Sequence, residues 1–345
     1  MITVIGLGAG DLEQLPLGIY RIMTSGKNVF VRTEKHPVIA DLYREGCYDF
    51  TSCDKVYEEY DNFESVYARI AEILIEAGQQ TNIIYAVPGH PMVAERVVQL
   101  ILEADVEVEV KGGQSFLDAM FTSLKIDPIE GFQLLDATGF DPADISLKQH
   151  VIFCQVYDAD MASNVKLPLL EMLPYDYEVV ILTGAGTSEE VIKKVPLCEL
   201  DHETTLSNLT SVYIPPVPKE LLYHEFSSLR ETVRTLRGPD GCPWDKKQTH
   251  QSLKKNLIEE TQELLEALDG NDDDHIIEEL GDVLLQVMLH SQIGEDEGWF
   301  NIDDVIRVLN KKLIRRHPHV FGDLKADNPE EAIAIWQQMK KEEQK

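Results

Sequence analysis

Residues Asn256–Val287 read NLIEETQELLEALDGNDDDHIIEELGDVLLQV. Leu257, Ile258, Thr261, Leu264, Leu265 and Leu268 fall on one face of a helix, and Ile276, Ile277, Leu280, Val283, Leu284 and Val287 on one face of a second. Each set follows the i, i+3, i+4, i+7 spacing of an amphipathic helix. The polar turn Asp269-Gly270-Asn271-Asp272 between them predicts an antiparallel helical pair. The acids form a second stripe beside each apolar one: Asn256, Glu260 and Glu263 on the first helix, His275, Glu279, Asp282 and Gln286 on the second. Glu259 and Glu278 point further out. In a chain this acidic, one acid on a helix face is most often only solvated. The joint pattern E-E-x-x-E then E-x-x-D is different, because carboxylates converging from neighbouring helices repel unless a cation lies among them. Hard oxygen donors suit Mg²⁺, which also takes phosphate oxygens.

The pattern Glu259-Glu260-x-x-Glu263 with Glu279-x-x-Asp282 resembles the metal motif of MazG-type nucleoside triphosphate pyrophosphohydrolases. The flanks resemble that family too, through Gly241-Cys242-Pro243-Trp244-Asp245 upstream and the run from Lys312 to Phe321 downstream. The likeness covers residues 222–345 and includes a single such module. It implies an all-α domain in which Glu260, Glu263, Glu279 and Asp282 hold Mg²⁺ and Glu259 or another unligated acid orients the attacking water. It also implies that Asn256, Lys312, Arg316 and Trp336 bind the nucleotide. Lys312 and Arg316 share a helix face at i and i+4. The expected reaction is cleavage of a nucleoside triphosphate to the monophosphate and pyrophosphate, and the expected assembly is a homodimer or larger.

Composition narrows the rest. The chain has 345 residues and a formal net charge of −30. That balance argues against nucleic acid and anionic membranes, which select clustered Lys and Arg. Cys47, Cys53, Cys154, Cys198 and Cys242 show no C-x-x-C and no paired spacing, as expected of free thiols in a reducing compartment. With no basic, apolar leader and no run of membrane-spanning length, the expected location is the cytoplasm.

The first half alternates strand and helix patterns. Ile2–Ile5 reads as a buried strand and runs into Gly6-Leu7-Gly8-Ala9-Gly10-Asp11. Helical spacing over 63–77 and 92–102 flanks a strand at 82–86 and the breaker Pro88-Gly89-His90-Pro91. A strand at 106–110 meets Gly112-Gly113, a helix covers 117–124, and further strands are expected at 151–156, 179–182 and 211–214. Such alternation predicts α/β layers with parallel pairs. A dinucleotide-binding fold is the poorer reading, because Asp11 stands where G-x-G-x-x-G needs glycine, although 29–31 and Glu34 imitate its second strand and acid.

The order of these pieces over residues 1–215 resembles the tetrapyrrole (corrin/porphyrin) methylase family, whose members bind S-adenosylmethionine between two α/β halves. The glycine loop at 6–11, Gly89-His90-Pro91 in place of the usual G-D-P, the turn Lys111-Gly112-Gly113-Gln114-Ser115 and Gln155 carry the resemblance. It implies cofactor contacts from Leu7, Gly8, Pro88, Gly89, His90, Ser115 and Gln155. His90 and Lys111 depart from the family pattern, which bears on the acceptor, and the sequence names no methyl acceptor. A proline-rich linker at 216–221 is expected to divide the halves. The order of the two domains is similar to that of YabN-type fusion proteins. Competing readings are a hydrolase with a non-catalytic regulatory α/β domain, and a non-enzymatic dimerisation module held by a cation.

Overall fold

The computed structural model describes residues 1–25, 27–47, 49–60, 62–270 and 272–343. Asn271, placed in the predicted interhelical turn, lies outside the described residues. The chain forms two compact units, Met1–Leu221 and Leu222–Lys345.

The first unit holds two sheets among the described residues. Strands β1 (Ile2–Gly6), β2 (Val29–Val31), β3 (Phe50–Ser52), β4 (Ile83–Val87) and β5 (Val108–Val110) form the first sheet. Their order is β3-β2-β4-β1-β5 and every pairing is parallel. Helices α1 (Leu17–Ser25), α2 (Pro37–Arg44), α3 (Asp54–Glu59), α4 (Phe63–Gln80) and α5 (Arg96–Leu102) connect its strands. Val4, Ile5, Tyr85, Ala86 and Val87 are fully buried, as continuous apolar strands covered on both faces should be. The strand order settles the dinucleotide reading. There β1 would lie beside β2, whereas here β4 separates them. Glu34, the imitation of the ribose-binding acid, instead accepts a hydrogen bond from Tyr43 Oη at 3.0 Å.

Helix α6 (Phe116–Leu124) leads to the second sheet: β6 (Phe132–Asp136), β7 (His150–Cys154), β8 (Glu178–Thr183), β9 (Val191–Pro196) and β10 (Thr210–Ile214), with α7 (Ala159–Leu170) after β7. Its order is β6-β7-β10-β8-β9. The expectation of parallel pairs holds only for β6 with β7, since β10 runs antiparallel to β7 and β8, and β8 to β9. The short segment at 184–190 returns the chain as a hairpin, and such a connection forces antiparallel pairing. The helix expected over 92–102 begins only at Arg96, because Ala94 sits at φ +54° and Glu95 turns inward. The strand expected over 106–110 is confined to 108–110.

The proline segment belongs to the first unit. Val217 is buried and its N–H donates to the Leu147 carbonyl at 2.9 Å. The second unit is helical: α8 (Phe226–Arg237), α9 (Lys254–Gly270), α10 (Asp273–Asp296), α11 (Ile302–Arg316), α12 (Pro318–Phe321) and α13 (Pro329–Glu342). Its core gathers Val233, Leu253, Met288, Leu289, Ile293 and Ile302. Arginines of α8 clamp the end of α10, Arg234 on Glu295 at 2.6 Å and Arg237 on Asp296 at 2.8 Å. The core takes in the C-terminal half of α10. The apolar stripes of the α9–α10 pair are largely bare, with Ile258 71 % and Ile277 68 % exposed. A two-helix contact covers only one stripe of each helix. No helix among the described residues is long and apolar enough to cross a membrane. All five cysteines are free thiols.

Candidate functional site

Helices α9 and α10 pack side by side and bring their acidic stripes together. Carboxylate oxygens of Glu260, Glu263 and Glu279 all lie within 4.8 Å of one another. Asp282, the fourth acid expected there, is not among the three at this spacing, and acts on Glu260 through its charge. Burial first, then the charge of Asp282, then those of Glu263, Glu259 and Glu279 raise the Glu260 carboxyl above the ordinary range. The neighbouring acids therefore make Glu260 harder to ionise, as a site awaiting a cation requires.

Glu279 carries the clearest signal. Its side chain is 9 % exposed, and one oxygen lies 3.2 Å from Nε2 of His275, one turn earlier. Its other oxygen, Oε2, is fully buried with no hydrogen-bond partner. A buried carboxylate oxygen without a donor is costly. A divalent cation among Glu260, Glu263 and Glu279 would satisfy it, and the all-oxygen donor set suits Mg²⁺. The residues therefore fit the ion. Asn256 is half-buried one turn before Glu260, and Glu259 is exposed.

The Arg316 guanidinium is held by Glu343, with Nε 3.0 Å from Oε1 and Nη2 2.6 Å from Oε2. Trp336 lies under the same guanidinium at 5.3 Å and under the Lys340 ammonium at 5.2 Å. Lys312 is half-buried on α11. Sequence reasoning missed Glu343, because the second acid of a Glu-Glu pair at the end of a helix offers no signal for it.

In the first unit the glycine loops meet at the C-terminal ends of β1, β4 and β5. Gly8 and Gly89 form a bridge in which Gly89 N–H donates to the Gly8 carbonyl at 2.8 Å. Gly6 N–H donates to the Gly112 carbonyl at 2.7 Å. A Cβ on Gly6 would come within 2.3 Å of the Gly89 carbonyl, and one on Gly113 within 2.6 Å of Gly6, so only glycine permits these crossings. Gly8 and Gly89 differ. At φ +76° and +66° they face open space, and a Cβ on Gly8 would meet only Gln114 Cβ, at 3.8 Å, while one on Gly89 would meet nothing within 4 Å. That leaves a cradle which a ligand could enter and a side chain would fill.

The other expected cofactor residues fall on or near these loops. Leu7 is buried and its N–H donates to Val87 O at 2.8 Å, while Pro88 is half-buried. The His90 Nδ1 accepts from Met92 N–H at 3.1 Å. Ser115 caps α6, its Oγ accepting from Leu117 N–H while Asp118 accepts from its own N–H. Gln155 follows β7 in the second sheet at φ +63°, which is uncommon for a residue with a side chain. Sequence reasoning also missed His36. Its Nδ1 caps α2 by accepting from Val38 N–H and its Nε2 donates to the Gly8 carbonyl at 3.0 Å. Burial lowers the pKa of this imidazole. His-Pro at a helix start was the available signal, since a polar side chain before Pro at N1 marks a cap.

Comparison with known proteins agrees with this division. The tetrapyrrole (corrin/porphyrin) methylases match residues 1–201, and the MazG nucleotide pyrophosphohydrolase domain matches residues 248–321. An uncharacterized protein of Bacillus subtilis, YabN, is 57 % identical over 99 % of this chain and 71 % of its own length. The nucleoside triphosphate pyrophosphohydrolase/pyrophosphatase MazG of Thermotoga maritima is 54 % identical over 36 % of this chain and 46 % of its own. A solved structure, the uroporphyrin-III C-methyltransferase of Thermus thermophilus complexed with S-adenosyl homocysteine, is similar at 18 % identity with a TM-score of 0.48, covering 64 % of this chain and 98 % of that one.

Proposed function

The chain belongs to the tetrapyrrole (corrin/porphyrin) methylase family and carries a MazG domain behind the methylase-like one, and on that premise we propose that the helical unit hydrolyses nucleoside triphosphates to monophosphate and pyrophosphate. The observation that carries the reading is the buried, unpartnered oxygen of Glu279, a residue whose carboxylate lies with those of Glu260 and Glu263. Glu260, Glu263, Glu279 and Asp282 would hold one or two Mg²⁺. The ion supplies charge neutralisation at the phosphates and a more acidic water. The protein's own part is positioning. Glu259 orients the attacking water; Lys312 and Arg316 hold the β and γ phosphates, Arg316 as a two-pronged donor. Asn256 and Trp336 seat the nucleotide. Water oxygen bonds to the α phosphorus, the α–β bridge breaks, and pyrophosphate leaves. The bare stripes on α9 and α10 favour a homodimer or larger assembly.

The test is a panel of ribo- and deoxyribonucleoside triphosphates with Mg²⁺ on the full chain. The expected result is one pyrophosphate per monophosphate formed. Release of inorganic phosphate instead, or no turnover with any of them, would overturn the assignment.

For the first unit we propose S-adenosylmethionine binding at the cradle of Gly8 and Gly89, with Leu7, Pro88, His90, Ser115 and Gln155 around it. The cofactor would supply an electrophilic methyl group for an acceptor yet to be identified. Gly8→Val fills the open space, and it also strains a backbone at φ +76°. The variant is expected to lose S-adenosylhomocysteine binding in calorimetry while pyrophosphate release stays at the wild-type rate. Wild-type protein that binds NAD tightly and ignores S-adenosylhomocysteine would refute the cofactor reading.

A further inference from the structure

Glu343 gathers two arginines. Arg315 donates to its Oε1 through Nε at 2.9 Å, with Nη2 2.7 Å away, while Arg316 spans both oxygens. The Arg316 and Glu343 side chains are mostly covered, at 15 % and 17 % exposed. Arg316 first, then Arg315, hold this carboxyl down at about 2, so it is charged under any working condition. Lys340 adds a third cation beside Trp336, and Lys312 stands one turn before Arg316 on α11. In a chain of net charge −30 this is a concentrated positive site, and what fills it is the chain's own carboxylate.

A guanidinium forked onto a carboxylate uses the same donors and much the same geometry as one forked onto a phosphate. Resting on the reading of Lys312 and Arg316 as phosphate contacts, we propose that Glu343 is a built-in competitor: its carboxylate occupies the seat of a substrate phosphate, and polyphosphate binding displaces it. The exchange leaves no guanidinium unpaired. A phosphate brings more charge and more acceptor oxygens than the carboxylate it replaces. Arg316 also covers Trp336, so displacement changes the surroundings of the indole at the same time. Apparent affinity is then reduced by the fraction of molecules in which Glu343 is seated.

The test uses the full chain and inorganic tripolyphosphate as the probe, followed by calorimetry. Glu343→Gln keeps the shape of the side chain and removes its charge. It is expected to bind tripolyphosphate on the order of tenfold more tightly than wild type, with KM for the nucleotide falling in parallel and kcat unchanged. Glu342→Gln, next to it on α13, serves as control and should change neither value. Equal or weaker tripolyphosphate binding by Glu343→Gln, in protein that still turns over nucleotide, overturns the competitor and leaves the hydrolase reading standing. If neither protein binds tripolyphosphate, Arg316 is no phosphate contact and the competitor falls with it.

Discussion

Alanine at Glu279 is expected to abolish pyrophosphate release, by at least about 10²-fold, while the fold survives. Losing support around a metal commonly costs about 10- to 100-fold, and here a direct donor is lost. Stability moves the other way. Glu279 is buried among like charges, one oxygen has no partner, and Glu260 beside it is already hard to ionise. Removing a repelling charge from such a group relieves the empty site. The variant should therefore unfold at a temperature no lower than wild type without Mg²⁺, and gain less than wild type when Mg²⁺ is added. Asp282→Ala should follow the same pattern more weakly, because Asp282 is half-buried. Glu278→Ala, on the outer face, should be nearly silent. The pH dependence has a fixed sign. Protons and Mg²⁺ compete for Glu260, whose pKa is raised, so Mg²⁺ affinity falls as pH drops through that range. Turnover near the wild-type level in Glu279→Ala at saturating Mg²⁺ would sink the assignment.

How much of this was legible before the structure differs by element. The acidic stripes were, because helical period is a local property and Glu260, Glu263, Glu279 and Asp282 obey it. The meeting of the glycine loops was implied by their place after strands. Strand direction was not legible. The sequence of β8 or β10 reads the same whether its neighbour runs up or down, and only the short return at 184–190 hinted at a hairpin. Edge strand β9 hid its nature, since Lys193 and Lys194 on an exposed edge look like a loop. The helix expected from Met92 was overread because apolar spacing continues through a turn that Ala94 breaks. Arg316 and Glu343 are separated by 27 residues and joined by no pattern. Pairings of that kind depend on how α11 and α13 dock, which no local period encodes.

The pairing with the largest consequence for stability was equally hidden, and Arg32→Met should expose it. Arg32 follows β2, and its guanidinium contacts the Glu95 carboxylate and donates through Nε to Tyr57 Oη at 3.0 Å. Glu95 is only 4 % exposed, and burial pushes its carboxyl from 4.5 up to about 7 even against the pull of Arg32. The Tyr85 hydroxyl is buried within the influence of both charges and has no hydrogen-bond partner. Its O–H is a neutral donor, which cannot replace the charge of the guanidinium beside Glu95. Removing one member of a buried pair typically costs roughly 3–5 kcal/mol, because the other is left uncompensated. For a unit of this size that corresponds to a fall in melting temperature of roughly 6–20 °C. The sign with pH follows from the proton count. The folded state keeps on Glu95 a proton that the unfolded chain releases near 4.5, so stability falls as pH rises toward 7, and the window extends higher in the variant. Thermal unfolding of Arg32→Met should therefore show a larger deficit at pH 8 than at pH 5.5. Arg32→Met with Glu95→Leu should recover most of the loss, since the stranded charge is gone. A deficit under about 1 kcal/mol, or one that is flat with pH, would mean that water reaches Glu95 and that the pair is ornamental. The experiment also reaches the loop, because Glu95 ends the segment that carries Gly89 and His90. If the pair anchors that segment, S-adenosylhomocysteine binding should weaken in Arg32→Met even at temperatures where the unit remains folded.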